Sequence, residues 1–450
     1  MSAPRGEFSS RFGFILAASG SAVGLGNIWG FPTQAANNGG AAFLVIYLLM
    51  AFGLAYPVLM AELIIGRHAK ANAVIAMAVI ARGSVSRKLG VGTGYVGIAA
   101  SCLILCFYSV VAGWMISHFL ASLSDIVNLS DFSAWLTNLN LTANALFALI
   151  FLVLTIFIVS GGVKGGIEKW STRLMPGLLA ILLGLIIYVL TLDGAMAGLK
   201  AYLLPDFSKA VEPKLMVSAL GQAFFSLSLG VGTMLIYGSY IGKGENLVSL
   251  GYAVTFLDIV ISVMAGLLIL PAMYVAQYNG VVIYDESGRL IAENTLIFTV
   301  LPALFGTMDL VGQWVSMAFF LLMTIAALTS SISMLEVPVA YVVENHRVDR
   351  RRASWLVGTV ISFMAMIIVV NFDLLFGFIV TLTTRYGQPL LGFMLCLFVG
   401  WIWHRNRVLD ELRQGYVQVE HSLFWKAWPF YIRYICPLAI LVVFSQLFIA

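Results

Sequence analysis

The chain is 450 residues long, 61% hydrophobic and only 10% charged, with a net charge of +4. Water-soluble domains carry about 25% charged residues, so this composition excludes a soluble enzyme or a soluble regulatory domain and makes lipid the solvent. The modest charge gives no reason to expect a nucleic-acid partner; a single bundle in the bilayer is expected instead.

A membrane-crossing helix needs about 20 apolar residues. In chain order such segments fall at 12–36, 42–66, 90–122, 142–160, 173–192, 215–241, 247–276, 308–343, 354–371, 374–402 and 428–449. The pattern predicts an all-α integral membrane protein of 11 transmembrane helices. The first segment is too long for the apolar core of a cleaved signal. With the N-terminus inside, the stretches 1–11, 67–89, 161–173, 242–246, 344–353 and 403–427 hold 19 of the 25 Lys and Arg, against Lys200, Lys209, Lys214 and Arg289 in the opposite loops. The positive-inside rule therefore predicts a multi-pass protein of the plasma (inner) membrane, N-terminus cytoplasmic and C-terminus outside. The longest external loop, 277–307, carries an apolar run, Leu296–Phe305, expected to fold back over the bundle as a short helix. No low-complexity linker marks a second domain, so residues 1–450 read as a single unit. The four cysteines (Cys102, Cys106, Cys396 and Cys436) lie in apolar stretches without metal-ligand spacing and read as small core residues.

Two spans are interrupted. The first contains Ala18-Ser-Gly-Ser-Ala-Val-Gly-Leu-Gly-Asn27, and the sixth contains Phe225-Ser-Leu-Ser-Leu-Gly-Val-Gly-Thr233. Each glycine in a helix interior costs about 1 kcal/mol against alanine. One reason to accept that cost is close helix packing; the other is deliberate unwinding, tolerated at membrane depth only where the freed backbone lines a cavity. Breaks in spans one and six, five spans apart, suit a secondary transporter made of inverted repeats. Two five-span units, at about 12–192 and 215–402, plus an additional helix at about 428–449, account for all eleven. At such a break the freed amides of Leu25 and Gly26 suit a carboxylate, and freed carbonyls suit a cation.

These residues resemble the neurotransmitter:sodium symporter family, in its bacterial amino-acid branch. The resemblance covers essentially the whole chain. It rests on Gly20-Ser-Ala-Val-Gly-Leu-Gly-Asn27, Trp29-Gly-Phe-Pro32, Asn38-Gly-Gly40, Tyr108, Gly221-Gln-Ala-Phe-Phe-Ser-Leu-Ser-Leu-Gly230 and Ala327-Leu-Thr-Ser-Ser331. It implies a sodium-coupled symporter for a neutral amino acid, working by alternating access, monomeric or homodimeric, with no catalytic residues. The substrate site it implies uses the backbone of Ser21, Ala22, Leu25 and Gly26, with the Tyr108 hydroxyl on the substrate carboxylate. Phe225, Ser226 and Ser228 hold the ammonium, with Phe225 also the aromatic lid. Ile104, Val231, Ser330, Ser331 and Met334 shape the side-chain pocket. Two sodium ions are implied. The first takes the Ala22 carbonyl, Asn27, Ser226 and Asp258; the second takes the carbonyls of Gly20, Val23 and Ala326 with the Thr329 and Ser330 hydroxyls. Arg5 and Glu344 match the cytoplasmic gate, and Asp373 matches the external gate acid.

The sequence departs from the family pattern at three places. Position 30 is Gly where the family has the arginine that pairs with the external acid. Ser21 replaces asparagine. Asp258 replaces asparagine, beside residues (Tyr47, Gln222, Ser226 and Ser262) that match a chloride site in animal relatives. A fixed carboxylate balances sodium as chloride would, and two anions at close range repel, so chloride is not expected to be required. Glu62, Glu336 and Arg385 are charges within spans and are functional by default; Arg385 is expected to pair with one of the two acids, which are also candidates for proton counter-transport. Glycine at position 24, where amine carriers have aspartate, favours a substrate that brings its own carboxylate. Ile104, Val231 and Met334 favour an apolar side chain. The alternatives are another small zwitterion such as taurine or a betaine, or an amino-acid sensor with the same fold.

Overall fold

The computed structural model describes residues 6–138, 140–204, 213–283 and 296–449. Among them the chain is helical without strands. Seven helices are long and apolar enough to cross a membrane: Ala41–Ala69, Ser84–Ile126, Leu141–Ser160, Val163–Leu190, Leu247–Tyr278, Leu310–His346 and Arg350–Val370. Two bent pairs raise the number to nine, Arg11–Ala22 with Gly26–Asn37 and Phe372–Ile402 with Arg405–Arg413. The other two of the eleven expected spans fall short of that criterion as they stand. The sixth is split into Pro213–Ser226 and Thr233–Ser239, and the last is divided among Leu423–Phe430, Tyr431–Ile435 and Cys436–Ile449.

The third span lies at the centre. In Ser84–Ile126, 72% of the most apolar window is buried, against 33% in the peripheral Val163–Leu190. Span eight packs along it. The second span abuts the second half of the sixth through glycines on both sides: a Cβ on Gly66 would stand 2.0 Å from the Leu235 carbonyl oxygen, and one on Gly238 would stand 2.8 Å from that of Leu63. This contact brings Glu62 against the break in span six. The apolar run of the long loop forms the helix Leu296–Gly306, and Phe298 packs between Trp29, Trp114 and His118.

Candidate functional site

The first span starts on Ser10, whose hydroxyl accepts the Gly13 N–H, and ends at Val23, which is extended (φ −72°, ψ 110°). The chain resumes in a wide turn in which the Phe31 N–H reaches back five residues to the Gly26 carbonyl, and the two halves meet at 54°. The glycines here also set contact distances. A Cβ on Gly24 would lie 2.4 Å from the Ser330 hydroxyl and 2.8 Å from that of Tyr108, and one on Gly26 would lie 2.9 Å from the Phe225 ring. Close packing and unwinding, the two readings of this stretch, therefore coincide.

The sixth span breaks more severely. Ser228, Gly230 and Gly232 take φ of 52°, 81° and 81°. That backbone costs a residue with a side chain about 1–2 kcal/mol. Ser228 is held there from both sides: its hydroxyl donates to the Ser21 carbonyl at 3.1 Å, and its own carbonyl accepts from Thr233 at 3.0 Å. The freed amides belong to Glu62, which is fully buried. Its carboxylate accepts the Gly230 N–H at 2.8 Å and the Leu235 N–H at 3.1 Å, an acid at the positive end of a half-helix. Glu336 instead meets Arg350 and Tyr240. The expected pairing of Arg385 with either acid is thus corrected: both acids are turned to these nearer donors, and Arg385 is exposed.

Between the two breaks lies a cavity of about 20 Å³. Its lining includes Ala22, Leu25, Gly26, Ile104, Tyr108, Phe225, Ser228, Val231, Ser330 and Met334. The Leu25 N–H lies 3.4 Å from the Tyr108 hydroxyl, so an amide and a phenol converge at one end. Ile104, Val231 and Met334 form apolar wall. Of the expected pocket residues, Ser331 turns its hydroxyl elsewhere, and so does Ser21, whose expected contribution is its backbone. The Ser21 hydroxyl donates to Ser333 at 2.6 Å, and that of Ser331 lies 2.8 Å from Thr155. Ser226 also stands outside the lining, directed at Asp258. Gln388 lines the cavity and was missed by sequence reasoning; a polar residue inside the tenth apolar span was the available signal.

Two clusters of oxygen flank the cavity. In the first, the Asn27 amide nitrogen sits among Asp258 Oδ1 (2.6 Å), Ser226 Oγ (2.8 Å), Ser262 Oγ (2.9 Å) and the Asp258 carbonyl (3.4 Å). Its oxygen accepts the Gly24 N–H at 3.0 Å. Four acceptors around one electropositive group form a cage suited to a cation, and the group is an amide that can turn. The Tyr47 hydroxyl stands 3.2 Å from Ser262, 3.4 Å from Ser226 and 3.5 Å from Asp258. Gln222 does not join them, since its amide donates to the Gly26 carbonyl at 2.7 Å. In the second cluster, the Ser330 hydroxyl reaches the Val23 carbonyl at 3.0 Å and that of Gly20 at 3.4 Å. Thr329 bonds back to the Ala326 and Ile325 carbonyls at 3.0 and 3.2 Å, as threonines in helices do.

Of the gate residues, Arg5 lies outside the described residues. Glu344 accepts from the backbone and side chain of Asn72 at 2.7 and 2.9 Å. Asp373 is exposed in the first turn of Phe372–Val380. Near Asp373, which lacks the family's arginine partner at position 30, a set of rings packs together: Phe298 meets Trp29 and Trp114, and Trp114 meets Phe372 and Phe376.

The sodium:neurotransmitter symporter family matches residues 5–138 and 126–450. The chain is 34% identical over 463 residues to YhdH, an uncharacterized sodium-dependent transporter of Bacillus subtilis, covering 98% of this chain and 97% of that one. It is 28% identical over 393 residues to the sodium- and chloride-dependent taurine transporter of Bos taurus, covering 76% of this chain and 61% of the relative. The crystal structure of MhsT in complex with L-phenylalanine superposes with a TM-score of 0.84 at 35% identity, over 98% of this chain and 99% of MhsT. With unwound first and sixth spans around a central cavity, and with relatives matched along its whole length, the chain belongs to the sodium:neurotransmitter symporter family and is a multi-pass, sodium-dependent membrane transporter.

Proposed function

We propose that the protein imports a neutral, apolar α-amino acid together with two sodium ions by alternating access. The observation that carries this reading is the asymmetric cavity, with the Leu25 amide and the Tyr108 hydroxyl at one end and Ile104, Val231 and Met334 as wall. The polar end suits a carboxylate, the wall suits a side chain, and the carbonyl-rich break of span six suits the ammonium. A cavity of about 20 Å³ holds a water-sized guest at most, so the helices around it must part to admit an amino acid. Closure around a filled site is the step by which substrate and ions favour one conformation over another. The L-phenylalanine in the MhsT structure supports the substrate class. Taurine, named for more distant relatives, has no side chain to fill an apolar wall.

The first oxygen cluster is assigned to one sodium and the Ser330 cluster to the other. Asp258 supplies the negative charge that chloride would bring, so transport is chloride-independent. Uptake of radiolabelled amino acids, taurine and a betaine into proteoliposomes, with sodium outside and potassium inside, tests the reading. Expected is accumulation of one or more apolar amino acids that collapses without sodium and in Thr329→Ala. Saturable binding without accumulation would instead indicate a sensor.

A further inference from the structure

Away from the transport cavity, a groove of about 260 Å³ opens where the end of the tenth span, the helix Arg405–Arg413 and the start of the last span meet. The tenth span turns through 99° into Arg405–Arg413, so that helix runs across the face the charge bias assigns to the cytoplasm. Three cations line the groove, Arg405, Lys426 and Arg433, and among the described residues none of its lining side chains is acidic. The guanidiniums lie over rings rather than carboxylates: Arg405 is 5.3 Å from the centroid of Trp425, and Arg433 is 4.2 Å from that of Trp401. Such stacking leaves the in-plane N–H donors free for an anion. A further donor stands beside them. Trp403, only 4% exposed, lines the same groove, and its indole N–H has no acceptor among the described residues. The mouth is flanked by exposed Phe430, in its lining, and by exposed Trp401 beneath the Arg433 guanidinium, surface that suits acyl chains.

We propose that this groove is a binding site for an anionic phospholipid of the cytoplasmic leaflet. The phosphodiester lies among Arg405, Lys426 and Arg433, and the acyl chains run along the outer surface of the last span. Basic pockets between membrane helices recognise headgroups in this way. The chemistry recognised is a phosphate monoanion; the adjoining apolar surface assigns it to a lipid rather than to a free ion. The site is remote from the substrate cavity and stands whether or not the proposed substrate is correct.

The test is titration of the purified full chain in detergent with phosphatidylglycerol, phosphatidylcholine or inorganic phosphate, with bound lipid counted by native mass spectrometry. At about 1 kcal/mol for each basic residue near a headgroup, a preference for phosphatidylglycerol of at least ten-fold is expected. Arg405→Gln/Lys426→Gln/Arg433→Gln should abolish that preference. Arg347→Gln/Arg351→Gln/Arg352→Gln, which removes equal charge elsewhere on the same face, should keep it. Should the first triple variant fail to fold, Lys426→Gln alone should reduce the preference by about five-fold, and Trp403→Phe, which removes the indole donor, should reduce it as well. Unchanged preference in the groove variants, or equal loss in the control, overturns the proposal. Competition by inorganic phosphate as effective as that by the lipid would assign the groove to a free anion and overturn it as well.

Discussion

Gly24 shows how tightly the cavity between the two breaks is specified. Its absent side chain leaves room for two hydroxyls, those of Ser330 and Tyr108, at 2.4 and 2.8 Å from where a Cβ would stand. Gly24→Ala must therefore displace the phenol from the Leu25 amide. Substrate affinity is expected to fall at least ten-fold, about 1.4 kcal/mol, in equilibrium binding of labelled substrate. Asp258 is the other decisive residue. Its carboxylate takes the Ser226 hydroxyl at 2.8 and 3.0 Å and the Asn27 amide at 2.6 Å. Asp258→Asn removes the charge while keeping the size. Uptake is then expected to become dependent on external chloride, with Tyr47, Ser226 and Ser262 as its donors; uptake in gluconate equal to that in chloride would contradict the exchange. Residue types were legible in the sequence here, but directions were not. Ser21 and Ser331 are polar residues in the right stretches, yet their hydroxyls turn to Ser333 and Thr155. Helical spacing places a side chain on a face and does not choose between two neighbouring helices.

At the scale of elements, the two broken helices were readable because glycine and serine at membrane depth run against helix propensity. Their different constructions were not readable. Span one breaks at a single extended residue and re-enters through a wide turn, whereas span six passes through three left-handed positions. The partner that stabilises the second break, Glu62, comes from 168 residues earlier in the chain, and only tertiary structure reveals the pairing. Glu62→Ala would leave two buried amides without acceptors, at about 1–3 kcal/mol each. A marked drop in melting temperature is expected, with Glu62→Gln partly preserving stability through its remaining oxygen. Gly230→Ala should be worse than either, since its Cβ would meet the Gln388 carbonyl at 2.5 Å at a φ of 81°. The orderly spacing of the apolar segments gave the long helices directly. It did not anticipate that the last span would be subdivided among Leu423–Phe430, Tyr431–Ile435 and Cys436–Ile449, because interruption there depends on local turn geometry rather than on hydropathy.

For the molecule as a whole, the end of the bundle that holds most of the Lys and Arg is tied together by a buried ion pair. Arg67, at the end of the second span, donates Nε to Glu411 at 2.7 Å and reaches the Glu245 carbonyl at 2.6 Å. Three segments far apart in sequence are joined there. Glu411→Gln strands a buried guanidinium, which costs on the order of 3 kcal/mol, whereas Arg67→Met/Glu411→Leu is expected to recover most of that stability in thermal melts. The pair also sets a pH dependence. Burial pushes the Glu411 carboxyl up, but the hydrogen bond from His68 and the charge of Arg67 outweigh it and hold the group below the usual carboxylate range. Its contribution is therefore complete above the unfolded value of about 4.3 and drains away as pH falls through the lower folded value. Melting temperature should decline with acid below that point in the wild type, and less steeply in Glu411→Gln.

The ring cluster around Trp114 has a consequence for how salt and temperature act on this part of the molecule. A gate made of opposite charges is loosened by salt, because mobile ions screen it. The packing of Trp29, Trp114, Phe298, Phe372 and Phe376 rests instead on the exclusion of water, which salts such as sulfate strengthen and cooling weakens.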